Sequence, residues 1–221
     1  MTKITVYFMP GLAASSSIFE RIVLPTESFE VILLDWVQPK KDETLVSYAQ
    51  RMAEKVVHEN PVLIGVSFGG ILVQEMAAFL NLKKLIIISS VKTRDEMPRR
   101  IKFAKTTKAY KLLPTSLLNN VEKLIIYSFG NGINQKLKLY EKFLRLRNKD
   151  YLDWAIEQVV CWDRSVPDPK VIHIHGDLDE VFPAKNINSF IPIKGGTHIM
   201  ILNRFRWFNQ YLPDIILKPE I

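Results

Sequence analysis

The strongest constraint on the fold is a series of short apolar runs that alternate with segments of helical periodicity. Such alternation is typical of a parallel β-sheet covered by helices on both faces. We therefore predict an α/β fold, a three-layer α/β/α sandwich with about six parallel strands. The predicted strands are Ile4–Phe8, Val31–Leu34, Val62–Val66, Leu85–Ile88, Val171–Ile174 and a weaker Ile187–Ile193, and the clearest helical patterns are Thr44–Glu59, Ile71–Leu80 and Ile199–Tyr211.

One stretch of the chain departs from this alternation. Residues 92–164 show helical patterns but no clear strand, and they lie between two predicted strands. We predict a core formed by residues 1–91 and 165–221, with residues 92–164 as a helical insertion that covers one edge of the sheet as a lid. Between Lys92 and Lys149 this insertion has 15 Lys and Arg but 4 Asp and Glu. Because no nucleic-acid motif accompanies that charge, we interpret it as the solvated faces of helices, with an anionic partner as the alternative.

Length and composition indicate one globular domain in a reducing compartment. The chain has 221 residues, of which 48% are hydrophobic and 24% charged. No apolar run approaches the roughly 18 residues that span a bilayer, and the N-terminus resembles a strand rather than a signal peptide. The single cysteine, Cys161, excludes an intrachain disulfide. These features predict a cytoplasmic protein without integral membrane association.

The most informative motif is Gly65-Val66-Ser67-Phe68-Gly69, at the junction of a predicted strand and a predicted helix. A serine on such a sharp turn has a strained backbone, and side chains larger than glycine on either side would collide with the strand and the helix. In open parallel sheets, ligands bind beyond the carboxyl ends of the strands. We therefore predict that Ser67 is a nucleophile. The alternative is a structural serine in a tight turn; the strand before the motif and the helix after it favour the nucleophile.

A serine hydroxyl needs a base to remove its proton, and the base is usually a histidine oriented by an acid. Of the four histidines, His198 is the best candidate, since it follows the last predicted strand at the same sheet edge as Ser67. His58 lies on a predicted surface helix, and His173 and His175 alternate on a predicted strand.

The acid is expected in the segment after the strand Val171–Ile174. Asp177 is suited to cap the turn at Gly176, because aspartate side chains bond to nearby backbone N–H groups. Asp179 would then reach inward to the histidine. We favour Asp179 over Asp177 as the acid.

The motifs GVSFGG, IHGDLDEVFP and GGTH, in that order, resemble those of the α/β-hydrolase superfamily over essentially the whole chain. The resemblance implies that Ser67 is the nucleophile, Asp179 the acid and His198 the base. The superfamily pattern His-Gly-x-x-Asp also selects Asp179.

The same resemblance implies an oxyanion hole. One donor is expected to be the backbone N–H of Phe68, directly after the nucleophile, and the other, by position, that of Leu12. Many superfamily members have His-Gly where this chain has Pro10-Gly11, and because little of the chain precedes Ile4 we expect the usual N-terminal hairpin to be missing. We expect the rigid Pro10 to brace the loop in place of the histidine side chain.

Four apolar residues near these motifs are candidates for a substrate pocket, with ordinary core packing as the alternative. They are Met9, Trp162, Val181 and Phe182. No spacing of ligating residues indicates a metal, and no glycine-rich loop indicates a nucleotide, so we predict no metal and no cofactor.

Taken together, the motifs predict a serine esterase that cleaves a small carboxylic ester through an acyl-enzyme. The same triad can perform thioester hydrolysis, acyl transfer or cleavage of a C–C bond, and a non-catalytic binding protein on this fold is a further alternative. The predicted partner is a small-molecule ester or acyl compound, not a nucleic acid.

Overall fold

A computed structural model of the chain describes residues 2–112 and 148–218. Six strands form one sheet in the order β2-β1-β3-β4-β5-β6, and every neighbouring pair is parallel. The α/β fold predicted from the alternation of apolar runs is therefore confirmed. The strands are β1 Ile4–Met9, β2 Phe29–Leu33, β3 Val62–Val66, β4 Lys84–Ile88, β5 Val171–Gly176 and β6 Ile191–Ile193.

The central strands explain why helices must cover both faces of the sheet. Every residue of β3 and of β4 is buried, although successive side chains of a strand point to opposite faces. Their continuous Val, Leu and Ile runs are typical of strands buried on both sides. β2, by contrast, lies at the sheet edge and exposes Val31 and Leu33.

Helices pack around this sheet. They are α1 Leu45–Ala53, α2 Phe68–Met76, α3 Arg99–Thr107, α4 Lys149–Cys161, α5 Met200–Asn203 and α6 Phe205–Leu217. No helix in the described ranges is long and apolar enough to cross a membrane.

The three predicted helices differ in their bounds from the observed ones. The helix predicted at Ile71–Leu80 begins at Phe68, ends at Met76 and continues as a 3₁₀ turn, Ala77–Phe79. α1 begins as expected, because Thr44 Oγ1 accepts the N–H of Ser47 at 3.2 Å. It ends at Ala53, six residues before the predicted end, and the chain then turns through Asn60, whose φ is +48°. The predicted C-terminal helix is divided at Arg204, whose φ of −113° interrupts the helical backbone between α5 and α6.

Between β4 and β5 the described residues include two helices and two short 3₁₀ turns, Arg94–Glu96 and Ala109–Leu112, but no strand. α4 begins where Asn148 Oδ1 accepts the N–H groups of Asp150 and Tyr151. Residues 113–147 lie outside the described part of the chain. The boundaries of the insertion and its action as a lid therefore stay predictions.

The strand order defines where a site is expected. β1 lies between β2 and β3. The chain passes from β1 to β2 on one side and then crosses to β3 on the other side, so the direction in which strands are added reverses at β1. In open α/β sheets, a crevice forms at such a switch point, beyond the carboxyl ends of the strands. The loops that follow β1 and β3 contain Gly11 and Ser67.

Candidate active site

Ser67 occupies the turn between β3 and α2 in a strained conformation, with φ 54° and ψ −119°. Residues other than glycine rarely adopt a positive φ, and such strain persists only where neighbouring contacts enforce it. Here the Ser67 N–H donates to the Ile88 carbonyl at 2.9 Å, and its own carbonyl accepts from Ser90 Oγ at 2.8 Å and Gly70 N–H at 2.9 Å. The backbone is thereby fixed on both sides, which leaves the hydroxyl to point out of the turn.

Glycines permit this turn because three backbone segments meet there. A Cβ built on Gly65 would lie 2.3 Å from the Gly69 carbonyl oxygen, and one on Gly69 would lie 2.3 Å from that of Pro10. These distances are far inside van der Waals contact, as the sequence pattern predicted. A Cβ on Gly11 would lie 3.3 Å from Ser67 Cβ, so the loop after β1 lies directly beside the serine.

In the structure, the three predicted side chains are connected by hydrogen bonds, from Ser67 through His198 to Asp179. Ser67 Oγ lies 2.8 Å from His198 Nε2, and His198 Nδ1 lies 2.9 Å from Asp179 Oδ2. Because a carboxylate only accepts, the proton of the neutral imidazole belongs on Nδ1. His198 Nε2 then has a lone pair directed at the serine hydroxyl, which is the arrangement that a general base requires.

The acid loop distinguishes Asp179 from Asp177. Asp179 is buried, and its Oδ1 accepts the N–H groups of Val181 and Phe182 at 2.8 and 2.9 Å, which leaves Oδ2 for His198. Asp177 is exposed and accepts the N–H of Gly195 at 2.7 Å. Asp177 thus joins the acid loop to the loop that contains His198, instead of capping its own turn.

Two backbone N–H groups are available beside the serine. Phe68 is the first residue of α2, where a helix has no internal acceptor for its N–H, and Leu12 follows Gly11 in the loop after β1. In the part of the chain that the structure describes, neither N–H group has a protein acceptor. These are the two donors predicted for an oxyanion hole.

Two aromatic side chains brace the loop that contains Leu12. Trp36 Nε1 donates to the Gly11 carbonyl at 2.9 Å, and the Ala13 N–H donates to Tyr151 Oη at 3.3 Å. The Trp36 indole also stacks on the Phe68 ring, with 4.8 Å between centroids and 11° between planes. From the sequence we predicted that Pro10 braces this loop, and neither aromatic residue was predicted. Trp36 had one usable signal, since it follows a predicted strand; Tyr151 had none.

The predicted pocket residues separate into two groups. Met9, Val181 and Phe182 are buried near the serine and the acid loop, and the Phe182 ring contacts the His198 imidazole edge-on at 5.5 Å between centroids. The fourth predicted residue, Trp162, contacts the C-terminal part of α2.

The Trp162 indole N–H donates to Glu75 Oε1 at 3.0 Å, beside Arg164, which bonds the same oxygen. Glu75 is near the C-terminal end of α2, about 12 Å of helical rise from Ser67. Trp162 therefore packs against this helix end, and its predicted place in the substrate pocket stays a prediction.

A second pair of histidines lies behind the acid. His175 Nε2 is 2.8 Å from the Phe182 carbonyl, which can only accept, so this nitrogen bears the proton. His175 Nδ1 must then accept from His173 Nε2 at 3.1 Å, and among the described residues His173 Nδ1 has no hydrogen-bond partner. Burial lowers the pKa of both imidazoles, and each also has a histidine neighbour that lowers it further. Among the described residues, no group of three or more ligating side chains could hold a metal ion.

This buried pair predicts a pH-dependent stability. In the unfolded chain both histidines take up protons near pH 6.5, whereas their lowered pKa values keep them neutral in the fold. The unfolded state therefore binds more protons, and the free energy of unfolding falls as pH drops below about 6.5. In His173→Leu, we expect the slope of that loss to decrease by up to about 1.4 kcal/mol per pH unit.

Urea unfolding of the wild type and of His173→Leu at pH 7.5, 6.0 and 5.0 measures both slopes. Equal slopes for the two proteins would show that His173 titrates alike in the folded and unfolded states.

Comparison with known proteins shows what the backbone resembles. No protein-family model and no curated protein matches the sequence. Solved structures do match over nearly the whole chain. A thermophilic esterase from Thermogutta terrifontis has a TM-score of 0.73 at 15% identity, with 97% of this chain and 90% of that chain covered.

Two further structures are similar to the same degree. An esterase from Exiguobacterium antarcticum has a TM-score of 0.70 at 18% identity, and 98% of this chain and 93% of that chain are covered. A bromoperoxidase from Bacillus anthracis has a TM-score of 0.70 at 18% identity, with coverage of 99% and 93%. The chain has the α/β-hydrolase fold, as its motifs predicted. At these identities the likeness defines the fold, and the activity has to be inferred from the site.

Proposed function

We propose that the protein is a serine hydrolase that cleaves small carboxylic esters through an acyl-enzyme on Ser67. The observation that supports this most directly is the unbroken sequence of hydrogen bonds from Ser67 Oγ through His198 to Asp179. The strained backbone of Ser67 is a second support, since such strain costs about 1–3 kcal/mol and is concentrated at functional sites.

In the first step, Ser67 Oγ attacks the ester carbonyl carbon while its proton passes to His198 Nε2. The C–O bond forms as the carbonyl π electrons move to oxygen, which becomes an oxyanion. The N–H groups of Leu12 and Phe68 hold this oxygen, and the N-terminus of α2 adds a favourable dipole. Asp179 holds the imidazole by its Nδ1–H and stabilises its cationic form.

The oxyanion then collapses, the bond to the alcohol breaks, and an acyl-enzyme on Ser67 is formed. His198 gives its proton to the leaving alkoxide, so the alcohol departs neutral. A water then transfers one proton to His198 Nε2 and attacks the acyl carbon. The tetrahedral species collapses, Ser67 recovers its proton, and the carboxylic acid is released.

Esters are favoured over the other acyl compounds because two of the similar structures are esterases. Thioester hydrolysis, acyl transfer and C–C cleavage would use the same three side chains, and a non-catalytic protein would have no need for two unpaired N–H groups beside the serine. The proposal includes a small-molecule substrate and, since Cys161 is the single cysteine, a cytoplasmic location.

The assignment of the nucleophile predicts selective covalent labelling. Wild-type protein should react with a fluorophosphonate probe, and Ser67→Ala should not, because no other hydroxyl has a base directed at it in the described site. Hydrolysis of p-nitrophenyl acetate should fall by at least about 10³-fold in the same variant.

Ser165→Ala is the matched control, since Ser165 is an exposed serine outside the motifs that contain the three triad residues. It should label and hydrolyse like the wild type. Absence of labelling in the wild type, or equal labelling of Ser67→Ala, would show that Ser67 is not the nucleophile.

Tyr151 braces the loop that contains Leu12, so loss of its hydroxyl should weaken stabilisation of the transition state and leave substrate binding unchanged. Tyr151→Phe removes the oxygen that accepts the Ala13 N–H, which lets the Leu12 N–H move relative to Ser67. We expect kcat for p-nitrophenyl acetate to fall about tenfold with KM within twofold, the pattern of an interaction made only in the transition state.

Tyr211→Phe serves as the control, because Tyr211 is an exposed residue of α6. If Tyr151→Phe raises KM and leaves kcat unchanged, the hydroxyl acts on substrate binding and not on the oxyanion loop.

A further inference from the structure

Arg100 connects the inserted segment to the acid loop. It lies on α3, and its guanidinium Nη2 donates to the carbonyl oxygens of Glu180 and Val181 at 3.0 and 3.1 Å. These carbonyls belong to the peptide groups Glu180–Val181 and Val181–Phe182, which come shortly after Asp179 in the acid loop. A charged donor makes such hydrogen bonds stronger than neutral ones.

The same two peptide groups also hold the carboxylate of Asp179. Their N–H ends, those of Val181 and Phe182, donate to Asp179 Oδ1 at 2.8 and 2.9 Å. Each peptide group therefore lies between the Arg100 guanidinium at its oxygen and the carboxylate at its N–H. Both charges favour the same orientation of the peptide dipole, and hydrogen bonds arranged in series strengthen one another.

We propose that Arg100 is a positioning residue for the catalytic acid. It fixes the two peptide groups that occupy Asp179 Oδ1, and Oδ2 is thereby aligned with His198 Nδ1. This inference rests on the proposed function, in which Asp179 orients the base. It also makes the geometry of the triad dependent on the place of α3, a helix of the inserted segment.

Other bonds keep α3 in place when Arg100 is changed. Lys102 Nζ donates to the Asp95 carbonyl at 2.8 Å, and Lys105 pairs with Asp163 at 2.8 Å. The alternative role, in which Arg100 merely tethers the helix, is therefore separable by experiment: loss of a tether leaves Asp179 and His198 unaffected.

Arg99 offers a matched control. It is the preceding residue of α3, it is exposed, and its substitution removes the same charge without touching the acid loop. Arg100→Ala, Arg100→Lys and Arg99→Ala are compared with the wild type, and equal thermal unfolding of the folded variants establishes that the fold is intact. If Arg100→Ala does not fold, Arg100→Gln and Arg100→Lys provide the same comparison.

The first readout is the proton NMR signal of His198 Nδ1–H, which is strongly deshielded by its bond to a carboxylate and is assigned by its absence in His198→Gln. We expect this signal to be sharp in the wild type and in Arg99→Ala. In Arg100→Ala it should broaden and move upfield, because the carboxylate is no longer held in line. Arg100→Lys, which can donate to one carbonyl, should be intermediate.

The second readout is hydrolysis of p-nitrophenyl acetate. In Arg100→Ala, kcat should fall about tenfold with KM within twofold, and Arg100→Lys should recover part of the loss. A signal and a kcat equal to those of Arg99→Ala would overturn the proposal, as would a rise in KM with an unchanged signal. If the wild type fails to label with fluorophosphonate, the proposed function is wrong, yet the NMR comparison still tests the link from Arg100 to Asp179 and His198.

Discussion

β3, α2 and the loop after β1 meet at Gly65 and Gly69, where a Cβ on either residue would lie 2.3 Å from a backbone oxygen. This approach lets the chain reverse direction within one residue, and that residue is Ser67, with its φ of 54°. Because the loop after β1 lies against the same turn, an N–H group from another strand end is brought to the serine. The arrangement of Ser67 beside this N–H group therefore follows from a close backbone contact that larger side chains would prevent.

Two helices that lie between β4 and β5 contact the loops of the candidate site. Tyr151 on α4 holds the loop that presents the Leu12 N–H, and Arg100 on α3 holds the loop that presents Asp179. α4 thus contacts the loop after β1, and α3 contacts the acid loop. A displacement of either helix would change the stabilisation of the oxyanion or the orientation of the base, with no substitution in the triad itself.

Local patterns explain why some of this could be predicted from the sequence. The buried strands have continuous apolar runs, so β3 was predicted to the residue, and the three triad side chains lie in short motifs with glycines. α1 was predicted too long because its apolar periodicity continues to Val56, beyond the last helical residue at Ala53. Tyr151 and Arg100 lie more than 75 residues in the chain from the groups that they bond, and no local pattern marks such contacts.

The central claim is that Ser67 attacks an acyl carbon whose oxygen is held by two backbone N–H groups. A crystal structure of the adduct formed with a p-nitrophenyl phosphonate tests it most directly, because the bound phosphorus resembles the tetrahedral intermediate. The account predicts a bond from phosphorus to Ser67 Oγ, with the phosphonyl oxygen within hydrogen-bond distance of the Leu12 and Phe68 N–H groups. Phosphorus bonded to another residue, or a phosphonyl oxygen directed away from both N–H groups, would contradict it.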